Sequence, residues 1–97
     1  MPFAIWCLDA PGAQFRRAGA LAEHRRYVDR WAALLLLSGP LLAEDDVTRL
    51  GQLFVLDVAD RTSAEAFLAG DPFTAAEVFG ETEICSFQPV FRNGSRT

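Results

Sequence analysis

Apolar residues first cluster in Pro2 to Leu8, a run with two aromatics that stops at Asp9-Ala-Pro-Gly12. That pattern predicts a strand followed by a turn. From Gln14 to about Leu35 the period changes. At about 100° per residue, Arg17, Leu21, His24, Val28, Trp31, Ala32 and Leu35 share one side, and Arg16, Glu23, Arg26 and Arg30 the other, which predicts an amphipathic helix. Leu36 to Leu42 reads as a second strand, and its Gly39-Pro40 centre makes it an edge, a bulge or a bend. Glu44-Asp45-Asp46 reads as a charged turn. Gly51 to Val58 alternates as a third strand covered on both faces. Ser63 or Thr62 is expected to cap a helix that ends at Gly70. Asp71-Pro72 then restarts a short helix to about Phe79, with Asp71 as cap and Pro72 at its first position. Glu81 to Phe91 alternates as the last strand, leaving Asn93 to Thr97 as a flexible polar tail.

The order βαββαβ predicts an α+β, ferredoxin-like sandwich: four antiparallel strands with two crossover helices on one face. Residues 1–92 form a single domain and 93–97 the tail. The second sheet face has no helices of its own. A chain of 97 residues that is 51% hydrophobic has more apolar surface than a private core of that size absorbs. Both arguments point to a homodimer packed sheet to sheet as a dimeric α/β barrel.

The net charge is -4, and all nine basic residues are arginine. An acidic chain without a basic stripe argues against nucleic acid as a partner. Arg16, Arg17, Arg25, Arg26 and Arg30 are spread around one helix and broken by Glu23 and Asp29, as on a solvated face. Cys7 and Cys85 lie within strand patterns and are expected to be reduced, small core residues of a cytoplasmic protein. The N-terminus lacks the features of a secretory signal, and no apolar run approaches a membrane span. No metal-ligand spacing or glycine-rich phosphate loop occurs, so neither a metal nor a cofactor is expected.

Chemistry is left to polar residues at the ends of elements. His24 is the sole histidine, and it points inward. Such a ring is either a core histidine with a satisfied hydrogen bond or a proton carrier. Asp71 is either a plain helix cap or the carboxylate that fixes the tautomer of His24. Asp9 is a turn former or a ligand contact, and Arg17 either snorkels or binds substrate. Ser38 and Gly39 lie in the second strand. Phe73, with Phe79, Trp6 and Trp31, suits either the core or the wall of a pocket for an aromatic ligand.

Taken together these segments resemble the YciI-like (YCII-related) family over nearly the whole chain. The resemblance is carried by "RRAGALAEHRRYV" around Arg17 and His24, "SGPLL" from Ser38, "GQLFVLDV", "AFLAGDPFTAAEVF" around Asp71-Pro72-Phe73, and "EICSFQPVF". It implies a ferredoxin-like fold that pairs into a dimeric barrel, with a pocket in which His24 and Asp71 act as an acid–base pair. Asp9 and Arg17 match recurrent positions. Members often carry arginine three residues before the histidine, where this chain has Leu21. The activity associated with the family is dehydrohalogenation of a chlorinated hydroxyquinol-type ring. The expected function is a cofactor-independent enzyme performing elimination or isomerisation on a small cyclic or aromatic compound. His24 and Asp71 are its expected catalytic residues, and Asp9, Arg17, Ser38, Gly39 and Phe73 its expected substrate contacts. The rival expectations are a non-catalytic dimeric module that binds a small ligand, and a structural interaction domain without a pocket in which His24 is buried and bonded to the backbone.

Overall fold

The computed structural model describes residues 2–97. Strand β1 (Pro2–Asp9) leads into helix α1 (Gln14–Arg30). A 3-10 turn (Ala32–Leu34) joins α1 to β2 (Leu35–Leu42), which hairpins into β3 (Arg49–Asp57). Helices α2 (Arg61–Gly70) and α3 (Pro72–Ala75) follow, then β4 (Phe79–Ser86) and two short strands, β5 (Phe91–Arg92) and β6 (Ser95–Arg96). The main sheet has the order β2-β3-β1-β4 with every neighbour antiparallel. This is the expected ferredoxin-like α+β sandwich. None of the helices among the described residues is long and apolar enough to cross a membrane.

Alternation along the strands divides the sheet into two faces. Phe3, Ile5 and Cys7 of β1 stand opposite Leu56, Phe54 and Gln52 of β3. They build the core with Ala64 and Phe67 of α2. Each large apolar side chain buried there contributes about 1.5–3 kcal/mol. Helix α1 meets this layer through one buried residue, His24, flanked by half-buried Tyr27 and Val28. The Tyr27 hydroxyl donates to the Phe67 carbonyl at 2.8 Å and joins the two helices. The opposite face carries Ala4, Trp6 and Leu8 against Val55, Leu53 and Gly51. Trp6 there is 37% exposed and Leu37 62%.

Several boundaries differ from the sequence reading. The helix predicted to reach Leu35 ends at Arg30, because the last turn tightens into the 3-10 segment. Asp60, not Ser63 or Thr62, caps α2: its carboxylate accepts from the Ser63 N–H at 2.8 Å. Strand β4 starts at Phe79 and stops at Ser86. In place of the expected tail, Phe91–Arg92 pairs with Ser95–Arg96. Asn93 and Gly94, with φ of 51° and 80°, form the tight turn between them. Cys7 is buried as expected, whereas Cys85 is exposed. Cys85 falls on the open face of β4, at the sheet edge, where no element covers it.

Gly51 marks the tightest backbone approach in the sheet. A Cβ built there runs into the carbonyl group of Cys7. Gly51→Ala should push β3 away from β1 beside Asp9 and cost about 3 kcal/mol, at the high end for single substitutions. Urea unfolding of the purified variant checks this; a loss below about 0.5 kcal/mol would show that the sheet absorbs the methyl group.

Candidate active site

His24 sits on the inner side of α1 because the helical period puts it in line with Leu21, Val28 and Trp31. Asp71 occupies the joint between α2 and α3, where Pro72 at the first helical position favours a capping side chain before it. The sandwich brings the two together. His24 Nδ1 lies 2.7 Å from Asp71 Oδ1. A carboxylate can only accept, so Nδ1–H donates and Nε2 takes no part in this contact. The same Oδ1 accepts the Phe73 N–H at 2.9 Å. Asp71 is therefore cap and histidine partner at once. It is fully buried, and its Oδ2 has no partner among the described residues.

Phe73 completes this group. Its ring is stacked on the imidazole with centroids 3.7 Å apart and planes within 1°. On its own side Phe73 packs with Ala13, Val78 and Leu21. Leu21 thus fills, with apolar contact, the position where the resemblance led us to look for arginine. His24 Nε2 forms no hydrogen bond among the described residues, and the side chain keeps 9% of its exposure.

A second polar group lies at the end of β1. Arg49 Nε donates to Asp9 Oδ2 at 2.8 Å and Nη2 to Oδ1 at 3.3 Å. Arg49 Nη1 donates to Gln52 Oε1 at 2.8 Å, and Arg17 reaches Asp9 Oδ2 at 3.5 Å. The Arg49 guanidinium carbon is 5.5 Å from the centre of the Phe73 ring, which links this group to the histidine. Asp9, Arg17 and Arg49 line a cleft of about 450 Å³ between the start of α1 and the β2–β3 loop. That volume lies within the range of small-molecule sites. His24, Asp71 and Phe73 are not among its lining residues; Arg49 is.

Of the expected residues, His24, Asp71 and Phe73 are brought together, and Asp9 and Arg17 lie in the neighbouring cleft. Ser38 and Gly39 belong to neither group. Ser38 pairs with Phe54 on edge strand β2 and is exposed, and Gly39 is half-buried opposite Leu53. Trp6, taken as core, stands on the open face. Arg49 and Gln52 were not singled out from the sequence. Simple alternation would send Arg49 to the open face with Gly51 and Leu53. The register shifts where Leu42 faces Arg49 and Leu41 faces Gly51, and this bulge turns Arg49 towards Asp9.

A ferredoxin-like sandwich with a buried His–Asp pair beside a charged cleft defines the class of protein, and comparison with known proteins gives its family. Residues 1–88 match the YCII-related domain, and the chain belongs to that family. Among solved structures it resembles 5-chloro-2-hydroxyhydroquinone dehydrochlorinase (TftG) from Burkholderia phenoliruptrix, in complex with 2,5-dihydroxybenzoquinone. The TM-score is 0.82 at 27% identity, over 91% of this chain and 94% of that one. The protein At3g17210 from Arabidopsis thaliana aligns over 91% of this chain and 93% of that one, but at 7% identity and TM-score 0.48 it carries no argument. No curated protein sequence matches.

Cys7 lies beneath both groups. Burial first, and then the Asp71 charge, push its thiol from 9.0 up to about 12. A thiol that ionises at 9.0 when unfolded but only near 12 when folded contributes stability that is complete below pH 9. That stability is lost as pH rises from 9 towards 12, by at most about 1.4 kcal/mol per unit. Urea unfolding of wild type and Cys7→Ala from pH 8 to 11 should therefore show the wild type losing stability more steeply. Parallel pH profiles would contradict it.

Proposed function

We propose that this protein is a cofactor-independent acid–base enzyme acting on a small cyclic or aromatic compound. The 2.7 Å contact between His24 Nδ1 and Asp71 Oδ1 carries the reading. Asp71 orients the ring and holds its tautomer, so that Nε2 is the atom that takes or gives a proton. The face of Phe73 gives an imidazole that has accepted a proton a surface for its charge. In an elimination, Nε2 takes the substrate proton, the electron pair left behind forms the new π bond, and the leaving group departs with its bonding pair. In an isomerisation the same nitrogen returns the proton at another carbon. The likeness to a dehydrochlorinase solved with a dihydroxyquinone supports a ring of this kind as substrate. Arg49, which lines the cleft and lies 5.5 Å from the centre of the Phe73 ring stacked on His24, supports the cleft as the place where a ligand approaches the histidine.

The protein acts in this reading as a cytoplasmic homodimer, with the open sheet face against a second copy. Trp6 and Leu37 make that face apolar, and burying it removes more surface from water than one chain can alone.

The first test is turnover of 5-chloro-2-hydroxyhydroquinone and related hydroxylated rings. His24→Ala and Asp71→Asn should each lower kcat about 10²–10⁴-fold, the usual contribution of a positioned acid or base. His24→Gln controls for folding through its circular dichroism and melting curve. Ligand binding without turnover in wild type, or unchanged turnover in a folded His24→Gln variant, overturns the enzyme reading and favours a binding module. Sedimentation should give a dimer in wild type and a monomer for Trp6→Glu; a monomeric wild type overturns the pairing.

A further inference from the structure

The cleft at the end of β1 has a charge imbalance in a protein that is acidic overall. One carboxylate, Asp9, is shared by two guanidinium groups, Arg17 and Arg49, so a positive charge is left over. The two arginines are held differently. Arg49 is only 13% exposed, and bonds to Asp9 and Gln52 occupy Nε and both terminal nitrogens. Arg17 is 28% exposed and makes one long contact of 3.5 Å, which leaves most of its five N–H donors unspent. Asp9 already accepts from Arg49 through both oxygens and from Arg17 through one. It is thus fitted to gather cations rather than to bind a ligand itself. The start of α1 contributes to the same wall: its cap position is Ala13, with no side-chain cap and no acidic residue in the first turn. Pro11, Val47 and Leu50 add apolar side chains to the cleft, and Gln14 and Thr48 add polar ones.

We infer that this cleft selects an organic oxyanion, a carboxylate or an enolate or phenolate oxygen carried on an apolar body. Arg17 binds the anion, Arg49 is the fixed positioning residue, and Asp9 holds both. The inference deepens the proposed function by naming the charge class of its ligand, and it rests on that reading only in treating the cleft as the ligand's entrance. A free arginine beside a fixed one can meet a planar oxyanion through two N–H groups. Pro11, Val47 and Leu50 beside the arginines offer apolar contact that the body of an organic acid or enol can use and inorganic phosphate cannot.

The test is calorimetric titration of the full chain with benzoate and with 2,5-dihydroxybenzoquinone, against neutral benzyl alcohol and inorganic phosphate. Wild type should bind at least one organic anion tenfold or more tightly than the alcohol, and phosphate no better than the alcohol. Which anion binds separates carboxylate from enolate as the group recognised. Arg17→Gln should weaken the anion roughly tenfold, the loss expected from one charge-assisted hydrogen bond, and leave the alcohol unchanged. Asp9→Asn should weaken it in the same direction through loosened arginines. Equal affinity for anion and alcohol, no binding of any probe, or an unchanged anion affinity in Arg17→Gln overturns the inference. His24→Gln separates the two ideas. Retained anion binding with lost turnover supports both, and retained turnover with a lasting Arg17 effect overturns the acid–base reading alone.

Discussion

A single buried hydrogen bond, from His24 on the first helix to Asp71 at the joint of the next two, sets how the helices meet around the candidate site. Burying an imidazole and a carboxylate is costly unless each satisfies the other. That requirement fixes the distance of α1 from the α2–α3 joint. Because the accepting oxygen also caps α3 through the Phe73 N–H, the direction of that short helix, and with it the plane of Phe73, follows from the same contact. The imidazole then stacks on the ring its own partner has oriented. One Asp71 oxygen serves here both as helix cap and as histidine partner.

The second polar group obeys different physics. Asp9 and its two arginines are partly exposed, so their attraction is screened and contributes less to stability than a buried pair does. What they contribute is orientation. Arg49 is locked by Asp9 and Gln52, and its guanidinium rests near the Phe73 ring. Phe73 therefore touches both groups, and Cys7 feels the charges of both Asp71 and Arg49. The two groups have separate charged residues and meet at one aromatic ring, Phe73.

The sheet shows a comparable division. Its inner face closes on the helices, while its outer face keeps Trp6 and Leu37 accessible. Phe87, Pro89 and Phe91, in and just before the terminal hairpin, lean over Val55 and enclose a cavity of about 220 Å³ with Leu36 and Leu37. Part of the outer face is thus covered from within the chain, while Trp6 outside that cavity stays 37% exposed.

Local order was legible from the residues alone. Alternation and the 3.6-residue period depend only on neighbours, so they gave the sequence of elements, turned His24 inward and made Asp71 a cap. The pairing of those two, 47 residues apart, followed from the expected element order only as an alternative to a plain cap, and the resemblance to the YCII-related family weighed in its favour. The tertiary structure alone decided what depends on register. A bulge at the start of β3 brings Arg49 to Asp9 across 40 residues. The course of edge strand β2 keeps Ser38 and Gly39 away from the site, and the open side of β4 leaves Cys85 in solvent. A side chain's direction is written in its immediate neighbours; its partner is set by strand order and by the one-residue slips that reverse a face.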